Sequence, residues 1–414
     1  VKKTLAWAVT VVTAATCTLG AALPAVAADT TTPPAATSAA VTSAAPGSTF
    51  DTSRLSPDLK ALADQALAQL PADWQQHRDA ATAAFGIHDT QWAALRDSVI
   101  NPGDYQCESN ALRDYQRTLL QGANFEPLFF LYFLGVFDMP TYDALYFGSE
   151  SKSNTFGVNG EYTNELTSES KDLKRFWDIH SDDIQLVPMH GRELFSSPER
   201  LAPVVSLMYG IPEENRKVAL GLASLIIDVI NLDPVLQGGD NPFFTLNAFA
   251  FSEKGAPHPA GIGDRIVMGD GILEAMRAIG LGTTAPRAIL AHEFGHHVQY
   301  EDDLIGDRDG TPEGSRRVEL MADAYGTYFL THSRGEALNA KRLLDSEKSF
   351  YQVGDCAFSS PGHHGTPNQR FATASWAAGV ANDAANQGHI LPSLTFDALF
   401  ETKLPDLVKP DATN

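Results

Sequence analysis

The chain has 414 residues and carries 51 acidic against 30 basic side chains, a formal net charge of −21. That length holds one to three domains and enough apolar sequence for a real core. The charge argues against a nucleic-acid partner and for high solubility, and it leaves the substrate open because solvated acidic faces are common.

Residues 1–27 read as a targeting segment. Val1-Lys2-Lys3 makes a short positive start, Leu5 to Leu23 is apolar, and Ala25-Val26-Ala27 is a small-x-small cleavage site. An uncleaved anchor is the alternative; a lipoprotein is disfavoured, since no leucine stands three residues before Cys17. Residues 28–50 are rich in Thr, Ala, Pro and Ser. They cannot bury enough apolar surface to offset ordering and read as a flexible linker or a processed stretch. The expectation is an exported protein, secreted or held in the cell envelope. Once Cys17 is removed, Cys107 and Cys356 remain. In an exported chain they point to a Cys107–Cys356 disulfide, with two separate buried thiols as the alternative.

Residues 51–235 read as a mainly helical region. Ser56-Pro57-Asp58 suits a helix start, with Pro at the first position and an acidic first turn. Leu59, Leu62, Ala63, Ala66, Leu67 and Leu70 then form a helical stripe. A second helix is predicted from about Asn110 to Leu120. Phe125 to Phe137 is strongly apolar but too short to span a bilayer, so a core segment is expected. Residues 148–172 are polar and read as a long loop, and Val218 to Leu232 as a buried helix. His77, His88, His180 and His190 stand alone, without a motif around them.

The remaining part, 236–414, carries the chemistry. Thr245 to Phe251 alternates and predicts a strand, Arg265 to Met268 a second, and Gly269 to Gly271 turns into a helix over Ile272 to Ile279. Next comes Ala291-His-Glu-Phe-Gly-His-His297 within an apolar run. On a helix His292 and His296, at i and i+4, share one face and converge on one metal ion. Glu293 then stands where its carboxylate reaches a water beside the metal. His297 falls about 100° round from His296 and is not expected to share the ion.

A catalytic zinc needs a third protein ligand and an open position. Glu319, in Arg317-Val-Glu-Leu-Met-Ala-Asp323 on a second predicted helix, supplies the ligand. Asp323, at i+4 from Glu319, suits a hydrogen bond to the free nitrogen of a ligand histidine. Between the two helices, Asp307 and Asp309 sit in an acidic stretch that lacks the final carboxylate of a calcium loop, where Arg316 stands instead. A solvated loop is the favoured reading there. His363 and His364 precede a helix over Gln369 to Val380, and beyond residue 395 the chain reads as a polar tail.

The pair H-E-x-x-H and E-x-x-A-D resembles the gluzincin metallopeptidases. With Asn247-Ala-Phe-Ala and Gly263 to Leu273 ahead of it, the order is similar to the core of CAAX-prenyl-protease-type enzymes. Gly362-His-His-Gly-Thr-Pro-Asn-Gln-Arg370 is similar to a His-Gly segment of bacterial neutral zinc metallopeptidases. The likeness covers roughly residues 240–380. It implies that Arg265 to Met268 is an edge strand holding substrate backbone, an ordinary inner strand being the alternative from the residues alone. It also implies that His364 stabilises the oxyanion, with Arg370 behind it and Tyr325 a weaker rival.

Together these readings predict an α+β fold, mainly helical, with a small zincin-like sheet packed on two zinc-ligand helices behind a helical N-terminal region. They predict an exported Zn2+ endopeptidase acting on protein or peptide, with Glu293 and His364 catalytic, His292, His296 and Glu319 on the metal, and Asp323 behind a ligand. No nucleic acid and no membrane span after signal cleavage are expected. The alternatives are a zinc-containing envelope protein that binds or chaperones with little proteolysis, and an interaction module with a structural zinc; an intact Glu293 argues against the second.

Overall fold

A computed structural model describes residues 50–85, 110–254, 261–305, 312–354, 364–383, 385 and 388–409. The expected targeting segment, residues 28–49 of the linker, Cys17, Cys107, Cys356 and their disulfide, His88, Asp307, Asp309 and His363 lie outside the described residues.

In chain order the helices are α1 (Pro57–Gln69), α2 (Trp74–Phe85), α3 (Ala111–Leu119), α4 (Phe125–Leu134), α5 (Thr163–Phe176), α6 (Pro198–Tyr209) and α7 (Arg216–Asn231). They continue as α8 (Asp270–Ala278), α9 (Ala285–Glu301), α10 (Pro312–Thr331), α11 (Ala340–Val353), α12 (Pro367–Asn382) and α13 (Ser393–Leu407), beside strands β1 (Gln185–Met189), β2 (Ala248–Phe251) and β3 (Arg265–Gly269). The expected mainly helical α+β architecture is what the chain adopts: helices around one small mixed sheet.

The core is built on α9 and α10. Both are buried along most of their length, as an α-helix without a polar face must be. They lie unusually close. A Cβ placed on Gly295 would sit 2.8 Å from the Ala322 carbonyl oxygen, and one on Gly326 3.0 Å from the His292 backbone nitrogen. Glycine at both crossings lets the backbones touch. Around this pair pack α5, α11, α12 and the sheet.

Strand order is β1-β3-β2, with β1 parallel and β2 antiparallel to β3. All five residues of β3 are buried. Here one expectation is overturned. Arg265 to Met268 is the inner strand, hydrogen-bonded on both sides, so its backbone has no free edge to offer a substrate. The sheet also joins the two expected regions, because β1 comes from before residue 236 and pairs with Arg265–Gly269. The predicted strand from Thr245 is shorter than expected: Pro242–Thr245 is a 3-10 turn, and extended pairing begins at Ala248.

Two stretches read as irregular are helical. Within 148–172, residues from Thr163 onward form α5, which buries Leu166, Glu169, Ser170, Leu173 and Phe176. The helical spacing is present, but two of the buried positions are polar, which hid the stripe from a reading based on composition. The expected tail after 395 is α13, whose Phe396 and Phe400 are fully buried. Phe396 meets Tyr328 at 4.7 Å and Trp376 at 5.7 Å between ring centroids. Its apolar stripe is thin, and α10 and α12 supply the surface that covers it.

The helices predicted near 57–70, 110–120 and 218–232 form as α1, α3 and α7. In α4 and the turn after it, Phe130, Leu131, Leu134, Val136 and Phe137 are buried while Phe125 is exposed. Among the described residues no single helix is long and apolar enough to cross a membrane. Only α4 taken with Val136–Phe147 reaches that length, and that pair is bent by 69°.

Candidate metal centre

His292 and His296 lie one turn apart on α9, and Glu319 reaches them from α10. The His292 and His296 Nε2 atoms are 3.2 Å apart. Glu319 Oε2 stands 3.4 Å from the first and Oε1 3.4 Å from the second. A tetrahedral ion with bonds of about 2.0–2.1 Å requires donor atoms about 3.3–3.4 Å apart. Glu319 thus sets one oxygen against each imidazole, at spacings close to a tetrahedral edge, and two imidazoles with a carboxylate are a donor set that can hold a divalent cation. Glu293 lies at the same place, with a carboxylate oxygen within 4.8 Å of a nitrogen on each histidine. All three residues of that cluster are buried, with 7 % exposure each.

Each imidazole is held so that Nε2 faces the centre. His292 Nδ1 donates to Asp323 Oδ1 at 2.8 Å. Its side chain is fully buried on α10 one turn beyond Glu319, and this is the role expected of Asp323. His296 Nδ1 donates to Gln299 Oε1 at 3.0 Å, and the Gln299 amide donates to the Val318 carbonyl at 2.7 Å. Such partners fix the tautomer and the ring plane. Gln299 was not foreseen; its position three residues after His296 was the available signal.

The charges of the cluster act on one another. Burial alone would lower His292, but its bonds to Asp323 and Glu319 outweigh that and raise its pKa to about 9. Burial would raise Glu319, yet the charge of His296, the bond to His292 and the charge of His364 bring its carboxyl well below the usual range. A cation binding at His292 Nε2 must displace a proton, so binding is linked to pH.

The other expected residues divide. His364 is partly buried and close enough for its charge to act on Glu319. Arg370 is buried and grips Asp323. Tyr325 is not at the site at all. Two residues after Asp323 it lies on another face of α10, where its hydroxyl donates to the Ser393 carbonyl at 3.1 Å and its ring packs on Trp177 and Phe396. His297 is directed to the sheet, bonded through Nε2 to the Arg265 carbonyl at 3.0 Å. It ties α9 to β3. His190, expected to be isolated, pairs with Asp270 at 2.6 Å beyond the carboxyl ends of β1 and β3.

No family model, curated protein or solved structure matches this chain.

Proposed function

We propose that the chain is an exported zinc-dependent endopeptidase. The observation that carries this reading is the convergence of the two Nε2 atoms, 3.2 Å apart, with one Glu319 oxygen 3.4 Å from each of them and the Glu293 carboxylate nearby. A purely structural site would close its fourth position with a protein ligand.

A zinc ion held by His292, His296 and Glu319 supplies Lewis-acid polarisation of a carbonyl oxygen and acidifies a nearby water. Glu293 accepts the proton of the attacking water on its carboxylate and passes it to the amine nitrogen as the peptide bond breaks. Asp323 and Gln299 keep the imidazoles from turning while charge builds up. His364, close enough for its charge to act on Glu319, would stabilise the developing oxyanion as a neutral or positive group. Since β3 is internal, strand addition falls to β2 (Ala248–Phe251), which packs on α9 and has a strand on one side only among the described residues. Peptide backbone adding along that edge would run beside the metal helix.

The test pairs zinc content with hydrolysis of casein or a quenched peptide, in wild type and Glu293→Gln. One zinc in both proteins and cleavage by the wild type alone is the expected result. Zinc in both with no cleavage of any substrate would move a binding role ahead of catalysis.

A further inference from the structure

Arg370 is one of the largest fully buried side chains among the described residues, and it is charged. It starts from α12, whose first turn is fixed by a reciprocal cap between Thr366 and Gln369, and it enters the space between α9 and α10. Its guanidinium grips Asp323 with a two-bond fork, Nε to Oδ2 at 2.7 Å and Nη2 to Oδ1 at 2.6 Å. Nη2 lies 3.4 Å from His292 Nδ1, and Nη1 lies 3.9 Å from Glu319 Oε2. Oδ1 of Asp323 thus accepts from Arg370 and from His292 together. A carboxylate bonded only to an imidazole could rotate about its own axis; one clamped in the plane of a guanidinium fork cannot.

We infer that Arg370 is a positioning residue for the metal centre, holding Asp323 so that Asp323 holds His292. The inference rests on the reading that His292, His296 and Glu319 bind a metal, and it is independent of whether peptides are cut. Two opposite effects of this cation on metal binding must be weighed. Its charge repels a divalent ion, but that charge is largely cancelled by Asp323 at 2.6 Å. Loss of a partner that orients a ligand costs about 10–100-fold in metal affinity. Orientation wins, so removing the fork weakens the metal site.

The experiment measures zinc affinity by chelator competition on the full chain. The proteins are wild type, Arg370→Gln, Arg370→Lys, Asp323→Asn and the double variant Arg370→Gln/Asp323→Asn. Arg200→Gln is the control, because it breaks another forked pair, with Asp143 at 2.6 Å, that touches no metal ligand. Arg370→Gln is expected to lose about 10–100-fold in zinc affinity. Arg370→Lys, which can restore one bond but not the fork, should recover part of it. Asp323→Asn should lose a similar factor, and adding Arg370→Gln to it should cost little more, because both act through one bond. Affinity unchanged or increased in Arg370→Gln overturns the inference. So does a loss that adds in full to that of Asp323→Asn, or an equal loss in Arg200→Gln, which would mark a global effect. Should Arg370→Gln not fold, Arg370→Lys with the Asp323→Asn background carries the same comparison. A wild type that holds zinc but cleaves nothing sinks the peptidase reading alone; a wild type that binds no zinc sinks both.

Discussion

Gly295 sits inside the candidate metal-binding motif, and replacing it by alanine tests how the two helices that carry the candidate ligands are set. The added Cβ would stand 2.8 Å from the Ala322 carbonyl oxygen and 3.0 Å from the Ala322 Cα. Both are backbone atoms of α10 and cannot swing away. Restoring ordinary contact needs the helices to part by roughly half an ångström, while metal sites tolerate errors of about 0.2 Å in ligand distance. Alanine gains about 1 kcal/mol over glycine in helix propensity, and overpacking a filled interior costs about 1–3 kcal/mol. Because the clash is with backbone, the second term wins. The expected result for Gly295→Ala is a net loss of about 1 kcal/mol in stability, from those two terms, with a drop of at least tenfold in zinc affinity. Thermal melting with and without chelator, together with zinc competition, measures both. A variant that melts higher than wild type and binds zinc equally well would show that the crossing of α9 and α10 does not set the site.

Two further outcomes are expected. Gln299→Ala removes the acceptor for His296 Nδ1 and the donor to the Val318 carbonyl, so zinc affinity should fall by about 10–100-fold and the melting temperature should fall too, because buried polar groups lose their partners; an unchanged affinity would show that Gln299 does not orient the ring. Glu169 on α5 is 1 % exposed with neither carboxyl oxygen hydrogen-bonded, and burial, aided by the negative charge of Glu336, pushes its pKa well above 4.5. With the folded pKa raised, its stabilising contribution is complete below the unfolded value. It is lost as pH rises towards the folded one, at about 1.4 kcal/mol per pH unit. Glu169→Gln removes that loss, so its stability relative to wild type should climb between pH 5 and pH 8 in urea titrations; parallel curves would refute the reasoning.

The two halves of the candidate metal centre were legible in the sequence because each is a local pattern. His292 and His296, and Glu319 and Asp323, are paired by helical spacing, and helix geometry alone puts each pair on one face. Helix α1 was readable for the same reason, through apolar spacing within a dozen residues. What a local pattern does not contain is how one element lies against another. The distance that makes two half-sites into one centre is set where Gly295 meets Ala322 and Gly326 meets His292. The inner position of β3 depends on pairing with β1, eighty residues upstream by register. Arg370 finds Asp323 across 47 residues and His292 across 78, and nothing in its sequence neighbourhood announces either contact. In α5 and α13 the stripe was polar or thin, so only the surfaces supplied by distant helices fixed them as helices. Sequence determined which side chains could bind a metal; the tertiary structure decided which groups hold them still, because buried charges and close backbone contacts are settled between elements rather than within them.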